Sequence, residues 1–260
     1  MPLTLLMNKI NLNSRNRAQI RTPFRPVEFL MFRTIFYISS FTMVAGCGTL
    51  SAVTPMEPGE HRVGATFGGP FTTNLGPPIP VPNLILEARS GVEPVAGMPV
   101  DINYGLNATT LAFGLVGVHG GASIHLLENE GWRPGLSVTE KLHLYNNYLD
   151  FSKPAETRTY WGINEFDVTA SWAIGNHRLY IGGSDILDLA DPELLVAPFA
   201  GVELTPGGDG PSFQIESRIL GANFSPEIWD LTWLTIGEEP GNGLISITAS
   251  VSWALGAEGE

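Results

Sequence analysis

The chain has 260 residues, 43% of them hydrophobic, and a formal net charge of −12. The charge is unevenly distributed, because residues 1–46 hold six of the 14 basic groups and one of the 26 acidic groups. The strongly acidic remainder repels phosphate backbones, so its composition argues against a nucleic-acid partner. Its length is sufficient for one domain with its own interior.

The first 46 residues are typical of an export signal. An apolar stretch over 34–44 follows Met31-Phe32-Arg33 and ends in Ala45 and Gly46. A basic start, a short apolar core and small residues before the cleavage point define such signals. The apolar core is shorter than the ~20 residues that a membrane-spanning helix needs. Basic residues upstream of Met31 either extend the basic region or precede the true start at Met31, and we favour the second interpretation.

The run Met43-Val44-Ala45-Gly46-Cys47 contains the single cysteine of the chain and resembles the lipobox of bacterial lipoproteins. The resemblance implies that Cys47 is acylated and becomes the first residue of the mature protein. It also implies that Gly48, in the next position, permits transfer to the outer membrane. We therefore interpret 47–60, which are small, polar and proline-containing, as a lipidated tether. With Cys47 acylated, no thiol remains for a disulfide or a zinc site, and we expect no metal or cofactor.

Beyond the tether, the hydrophobic pattern has a period of two. Val100–Asn107, Glu165–Ile174 and Ile245–Leu255 each alternate apolar with polar or small residues. Such alternation is the signal of a strand with two unlike faces. The longest runs cover ten or eleven residues, close to what one tilted strand needs to cross a bilayer.

Further strand-like segments fill the rest of the chain, with hairpin-type turns between several of them. These segments are 63–67, 84–89, 110–118, 120–128, 134–146, 177–186, 194–204 and 213–221. Ile228–Leu234 fits a short helix or a strand about equally well. The sequence thus predicts one all-β domain over 61–260, folded as an antiparallel meander.

Two architectures suit such a meander, a soluble two-sheet sandwich and a closed membrane barrel. Charged residues on the polar strand faces resemble the lumen of a barrel; these are Glu87, Arg89, Asp101, Lys141, His143, Glu165, Asp167, Glu216 and Arg218. Aromatic residues near strand ends resemble the girdles of membrane barrels; these are Trp132, Tyr145, Tyr148, Tyr160, Trp161, Tyr180 and Trp253. Glycine and alanine within strands favour a curved, closing sheet. We therefore predict a membrane β-barrel of about ten strands (8–12).

The region after the tether resembles outer-membrane β-barrel proteins in this diffuse sense, and departs from them at its end. Many such barrels finish on an aromatic residue, whereas here Trp253 is followed by a short acidic tail. The resemblance implies a lipid-anchored protein of the bacterial outer membrane. Its predicted partner is outer-membrane lipid, and the sequence does not identify any protein partner.

For function, we expect a non-enzymatic barrel with a structural or narrow-pore role, in which the nine charged residues form a lumen network. One alternative is a soluble β-sandwich lipoprotein that binds a partner or ligand. A second alternative is an envelope lipid hydrolase. Ser123 and His125 share a strand face, as a serine nucleophile and its base would, and a nearby Glu128 or Glu130 would orient the histidine.

Overall fold

The computed structural model describes residues 50–73, 77–148, 160–190, 192, 194–206, 210–224, 233–236 and 242–255. Within these residues the chain forms eleven strands and one short helix. The strands are β1 His61–Thr72, β2 Ile79–Pro80, β3 Asn83–Val95, β4 Met98–Asn107, β5 Leu115–Leu127, β6 Gly135–Asn147, β7 Tyr160–Ile174, β8 His177–Asp188, β9 Leu194–Leu204, β10 Ser212–Leu220 and β11 Leu244–Ala254. The helix, α1, covers Ala108–Ala112.

The strands close into a ring. Each long strand pairs antiparallel with its neighbour in the chain, and β1 also pairs with β11, from Arg62↔Ala254 to Pro70↔Ser246. The two-residue β2 pairs only with the end of β1, so ten strands make the barrel. The predicted all-β meander closed into a barrel of about ten strands is confirmed. The alternative of a two-sheet sandwich is wrong, because no sheet edge is left open among the ten long strands.

The barrel is apolar outside and polar inside. Along β7, the polar side chains of Glu165, Asp167 and Thr169 are buried, while Phe166 and Val168 between them are 41% and 42% exposed. Successive side chains of a strand point to opposite faces, so the buried set lines the interior. The same division recurs on β6, β8, β10 and β11. A water-soluble barrel has the opposite arrangement.

The two ends of the barrel differ in the length of their connections. At one end, here the turn end, β3 joins β4 through Ala96 and Gly97, and β7 joins β8 through Gly175 and Asn176. Ala96 and Gly97 both have positive φ, 53° and 82°, as a type I′ hairpin turn requires. β1 begins and β11 ends at the turn end. The longer connections join β1 to β3, β6 to β7 and β10 to β11, and the strand ends that they join all lie at the opposite end, here the loop end.

The first part of one predicted strand is a helix in the structure. Residues 110–112 of the predicted 110–118 strand belong to α1, because the Asn107 side chain accepts a hydrogen bond from Thr110 N (3.3 Å) and caps the helix. The predicted segments ending at 118 and beginning at 120 are one uninterrupted strand, β5. Most of the ambiguous segment Ile228–Leu234 lies outside the described residues.

No helix among the described residues has the length and apolar character needed to cross a membrane.

Closure between β1 and β11 depends on a close backbone approach at Gly68. Gly68 has φ of 140°, and a Cβ there would lie 2.2 Å from the Ile247 carbonyl oxygen on β11. We expect Gly68→Ala to lower the free energy of unfolding by about 2 kcal/mol or more, since both conformation and contact become strained. The measurement is the temperature at which the compact, heat-modifiable band converts to the unfolded band on a gel.

The matched control is Gly183→Ala on β8, where an added Cβ meets nothing within 4 Å. The compact band of this variant should convert to the unfolded band at nearly the same temperature as that of the unmodified protein. Equal conversion temperatures for the two variants would contradict a tightly packed β1–β11 seam.

Candidate functional site

The barrel interior holds the largest concentration of charged side chains, and it is the candidate site. Towards the turn end, Asp101 on β4 is fully buried and accepts two charge-assisted contacts on the same oxygen. Arg89 Nη2 lies 2.5 Å from Asp101 Oδ2, and His125 Nε2 lies 2.9 Å from it. Three neighbouring strands, β3, β4 and β5, thus place one side chain each in this group. Asp101 pairs with Gly91 and Ser123, so Arg89 and His125 lie two residues from those positions, on the same strand face.

At mid-height, Arg218 on β10 contacts strands that are not its neighbours in the ring. Its Nε donates to Glu216 Oε1 at 3.0 Å, and its Nη1 donates to Glu165 of β7. Glu165 also lies 3.2 Å from His143 Nε2 on β6. The guanidinium carbon sits 4.8 Å from the centre of the Phe199 ring, a cation–π distance. Arg218 therefore ties β6, β7, β9 and β10 together across the interior.

Lys141 and Asp167 form a further ion pair, also at mid-height. Lys141 Nζ lies 3.4 Å from Asp167 Oδ2, and Ser184 donates its hydroxyl to the other oxygen of Asp167. Glu87 accepts a hydrogen bond from Thr66 Oγ1 at 3.3 Å. We call the nine residues named from the sequence the interior network. All nine face the interior. Seven of them form ion pairs, His143 contacts the carboxylate of Glu165, and Glu87 is hydrogen-bonded to Thr66 beside them.

A stretch of the chain itself enters this interior. Leu50–Met56, here the lumen segment, includes the buried residues Leu50, Ser51, Ala52, Val53 and Met56. Its carbonyl groups accept hydrogen bonds from the barrel wall: Leu50 O from Lys141 Nζ (3.1 Å), Ser51 O from Gln214 Nε2 (3.0 Å), Ala52 O from Ser137 Oγ (3.1 Å) and Thr54 O from Arg89 Nη2 (3.1 Å). The sequence predicts a tether here, whereas the structure places these residues in the lumen.

The lumen segment also donates to wall carboxylates. Ser51 reaches Glu216 Oε2 through both its hydroxyl (3.0 Å) and its backbone N–H (3.4 Å). The Met56 N–H donates to Asp101 Oδ1 at 3.1 Å, and the Thr54 hydroxyl donates to Glu203 Oε2 at 2.6 Å. The segment therefore satisfies acidic groups of the wall that would otherwise need water or cations.

Val53 anchors the same segment by apolar contact. It packs in a small buried cluster with Tyr180 of β8 and Phe199 of β9. Tyr180 fits there because Gly201 leaves room for its ring: a Cβ at Gly201 would lie 2.3 Å from the Tyr180 hydroxyl oxygen. The segment is thus held by hydrogen bonds along its backbone and by one side chain in a pocket.

At the loop end, an apolar cluster fills the interior. We call it the loop-end seal; its buried members are Val81, Tyr145, Ile163, Ile186, Ala197, Leu220, Trp233 and Leu244. Val81 and Trp233 come from the two connections that fold onto β1, where Val81 N donates to Pro70 O and Trp233 bridges to Thr72. The other members are inward-facing strand residues. The lumen is therefore closed by packed apolar side chains at this end.

Two cavities remain beside the lumen segment. One of about 220 Å³ lies near the turn end and is lined by Val53, Pro55, His125, Ser137 and Arg178 among others. The other, of about 40 Å³, borders Arg89, Asn103 and Lys141, where both side-chain polar atoms of Asn103 lack a protein partner. A polar space of this size accommodates about one water molecule.

Ser123 and His125, which the sequence suggests as a hydrolase pair, both face the interior. Ser123 Oγ accepts a hydrogen bond from Thr139 Oγ1 at 2.9 Å, and His125 contacts Asp101 rather than Glu128 or Glu130. Ser123 is fully buried, so a lipid would have to enter the lumen to meet it. Among the described residues, no group of three or more His, Cys, Asp and Glu side chains is arranged to hold a metal ion.

The aromatic residues divide differently from the predicted girdle. Trp132, Tyr160 and Trp253 are exposed near strand ends, as predicted, with Trp132 86% exposed. Tyr145 and Tyr180 are instead buried in the interior, and Trp161 stacks on Tyr145 with ring centres 5.4 Å apart. The alternation of β6 and β7 already assigns Tyr145 and Trp161 to the inner face.

Sequence reasoning missed several interior groups. Glu203 and Tyr180 lie in segments that are apolar or glycine-rich on both faces, so no alternation marks them. Ser184 looks like any small polar strand residue. The lumen segment carries no distinguishing signal either, because a small, hydroxylated stretch suits a solvated tether and a narrow lumen equally well.

No protein-family model matches the chain, and comparison with curated proteins finds no match. Among solved structures, the barrel is similar to the crystal structure of the transport unit of the autotransporter AIDA-I from Escherichia coli. The TM-score is 0.40 at 9% sequence identity, over 83% of this chain and 96% of that one. The fold assignment therefore rests on the strand pairing of this chain itself.

Removal of the Arg218 charge tests the interior network. We expect Arg218→Met to lower the free energy of unfolding by about 3–5 kcal/mol, because Glu165 and Glu216 would stay buried without their cation. The measurement is urea unfolding in detergent micelles, followed by tryptophan fluorescence. The double variant Arg218→Met/Glu216→Gln should recover part of this loss, since one uncompensated charge is removed.

The control is Arg133→Met, in which the lost partner is Glu130 in an exposed pair. Exposed pairs contribute little, so this variant should unfold like the unmodified protein. An Arg218→Met protein as stable as the Arg133→Met protein would mean that water, and not Arg218, compensates the interior carboxylates.

Proposed function

We propose that this protein is a lipid-anchored β-barrel of the bacterial outer membrane, with a structural role and a closed lumen. The observation that carries the proposal is the inverted polarity of the barrel. Large apolar side chains point outward all round the ring, for example Ile181 at 54% exposure, while charged side chains are buried inside. Exposed apolar area on this scale is stable only against hydrocarbon.

The difference between the two ends supports an outer-membrane orientation. Outer-membrane barrels have short turns on the periplasmic side and longer loops on the outside. Here the two-residue turns at 96–97 and 175–176 share one end with both termini of the barrel. The turn end would then face the periplasm, and the loop-end seal would face the cell exterior.

The lipid anchor rests on the sequence around Cys47. The small residues before it and Gly48 after it match the lipobox pattern, and Cys47 precedes β1 by 14 residues. A diacylglycerol at that position would insert in the periplasmic leaflet beside the turn end. Two membrane attachments, the barrel wall and the acyl chains, would then act on the same chain.

The filled interior favours a structural role over a narrow pore. The loop-end seal closes one end of the lumen, and below it the interior network and the lumen segment occupy the same levels, joined by hydrogen bonds. A solute would have to displace the loop-end seal. We assign no catalytic role, because Ser123 and His125 are hydrogen-bonded to Thr139 and Asp101 inside the barrel.

Membrane integration is tested by removing the acylation site. The Cys47→Ser protein should still need detergent for extraction and should still migrate as a heat-modifiable band, because the apolar exterior is unchanged. A soluble lipoprotein with the same change would enter the aqueous phase without detergent. Release of folded Cys47→Ser protein into detergent-free buffer would refute the membrane barrel.

The closed lumen is tested by electrical recording. The purified full chain, inserted in planar lipid bilayers, should give no steady single-channel current, because the loop-end seal blocks the axis whether or not the lumen segment is seated. Insertion is checked separately by flotation of the protein with vesicles and by its heat-modifiable band. Steady, reproducible current steps from inserted protein would favour the narrow-pore role instead.

A further inference from the structure

The depth of the lumen segment limits where Cys47 can be. Leu50 O accepts its hydrogen bond from Lys141 Nζ, and Lys141 is the seventh of the 13 residues of β6. Six residues at about 3.3 Å each, on a strand tilted by about 40°, place either rim roughly 15 Å from this level. Leu50 therefore lies near the middle of the barrel, and not at its mouth.

Cys47 lies outside the described residues, but the chain between it and Leu50 is too short to leave the barrel. An extended chain covers at most about 3.6 Å per residue, so three residues before Leu50 reach at most about 11 Å. To reach the lipid, a path must climb to a rim and cross the wall. Ten strands about 4.8 Å apart give a ring radius of about 10 Å, so the path measures roughly 25 Å.

The exit at the loop end is also obstructed. The loop-end seal closes the interior above the network, with Trp233 and Val81 packed among inward-facing strand residues. Acyl chains on Cys47 would have to lie among the buried charges or displace the seal. Hydrocarbon beside Glu165 and Arg218 would leave those groups poorly solvated.

We propose that seating of the lumen segment and acylation of Cys47 exclude one another. This inference rests on the proposed lipid anchor.

The acylation in question transfers diacylglycerol from a phospholipid to the Cys47 sulfur, forming a thioether while the phosphate headgroup leaves with the thiol proton. In the acylated form, Leu50–Met56 has left the lumen and 47–60 spans the distance from β1 to the leaflet. Fourteen residues reach up to about 50 Å, which is ample.

The unacylated form is the one with the segment seated. Its withdrawal vacates a row of donors and acceptors on the wall: Lys141, Gln214, Ser137, Arg89, Glu216, Asp101 and Glu203. The cavity of about 220 Å³ at the turn end would then join the vacated space. Acylation thus selects between a barrel filled to mid-height and a barrel open towards the turn end.

A cysteine placed in the segment reports its position. Cys47 is the single cysteine of the chain, and once acylated its sulfur does not react with maleimides. Ala52→Cys is therefore introduced into the otherwise unchanged chain and into a Cys47→Ser chain. Both full-length proteins are produced in a bacterium with an outer membrane, extracted in mild detergent and treated with a maleimide-linked polyethylene glycol. Mass spectrometry of the N-terminal peptide establishes acylation.

We expect the Ala52→Cys thiol to react on the order of ten-fold faster or more in the acylated protein than in the Cys47→Ser protein, because a seated segment must first open. Asn176→Cys, in the exposed turn between β7 and β8, is the matched control and should react equally in both chains. Thr54→Cys repeats the test if Ala52→Cys does not give a heat-modifiable barrel.

The outcomes separate the inference from the function on which it rests. An N-terminal peptide without diacylglycerol removes the lipid anchor itself. Acylated protein with a protected Ala52→Cys thiol overturns the mutual exclusion but leaves the anchor intact. Rapid labelling of the Cys47→Ser protein overturns it too, since the segment would then be unseated without any lipid.

Discussion

Compensation of buried carboxylates is the constraint on which the interior depends. Inside the barrel, carboxylates outnumber the lysine and arginine side chains that face them, and ionised groups are costly to bury without partners. Histidines, hydroxyls and backbone N–H groups donate hydrogen bonds to the carboxylates that have no lysine or arginine partner. The lumen segment contributes several of these donors, through Ser51, Thr54 and Met56. The segment is therefore part of the electrostatic structure of the interior as well as an obstruction of the lumen.

The interior is organised in layers of different chemistry. Apolar packing fills the loop end, and below it the ion pairs of the wall surround Leu50–Met56, an irregular stretch of the same polypeptide. Phe199 connects the ionic and apolar parts of the interior, because it contacts both Arg218 and Val53. A narrow ring of ten strands leaves little room for anything else.

Much of this architecture follows from the alternation of residues, and some does not. Period-two patterns in β4, β7 and β11 predict both the strands and the face on which Asp101, Glu165 and Asp167 lie. The charged residues on the polar strand faces resemble a barrel lumen, and from this the sequence predicts that the apolar faces point outward. Alternation fails where both faces are apolar, as around Glu203, and it cannot detect contacts made by a segment without regular structure. Leu50–Met56 is such a segment, and only tertiary contacts place it.

The pairing of β1 with β11 has a consequence for how the molecule forms. It joins Ala65 to Val251, so the first strand must wait for nearly the whole polypeptide before it finds its partner. Contacts so distant along the chain make folding slow, and meanwhile two unpaired, largely apolar edges invite aggregation. Biogenesis of this barrel therefore requires that the nascent chain be shielded until its last strand arrives.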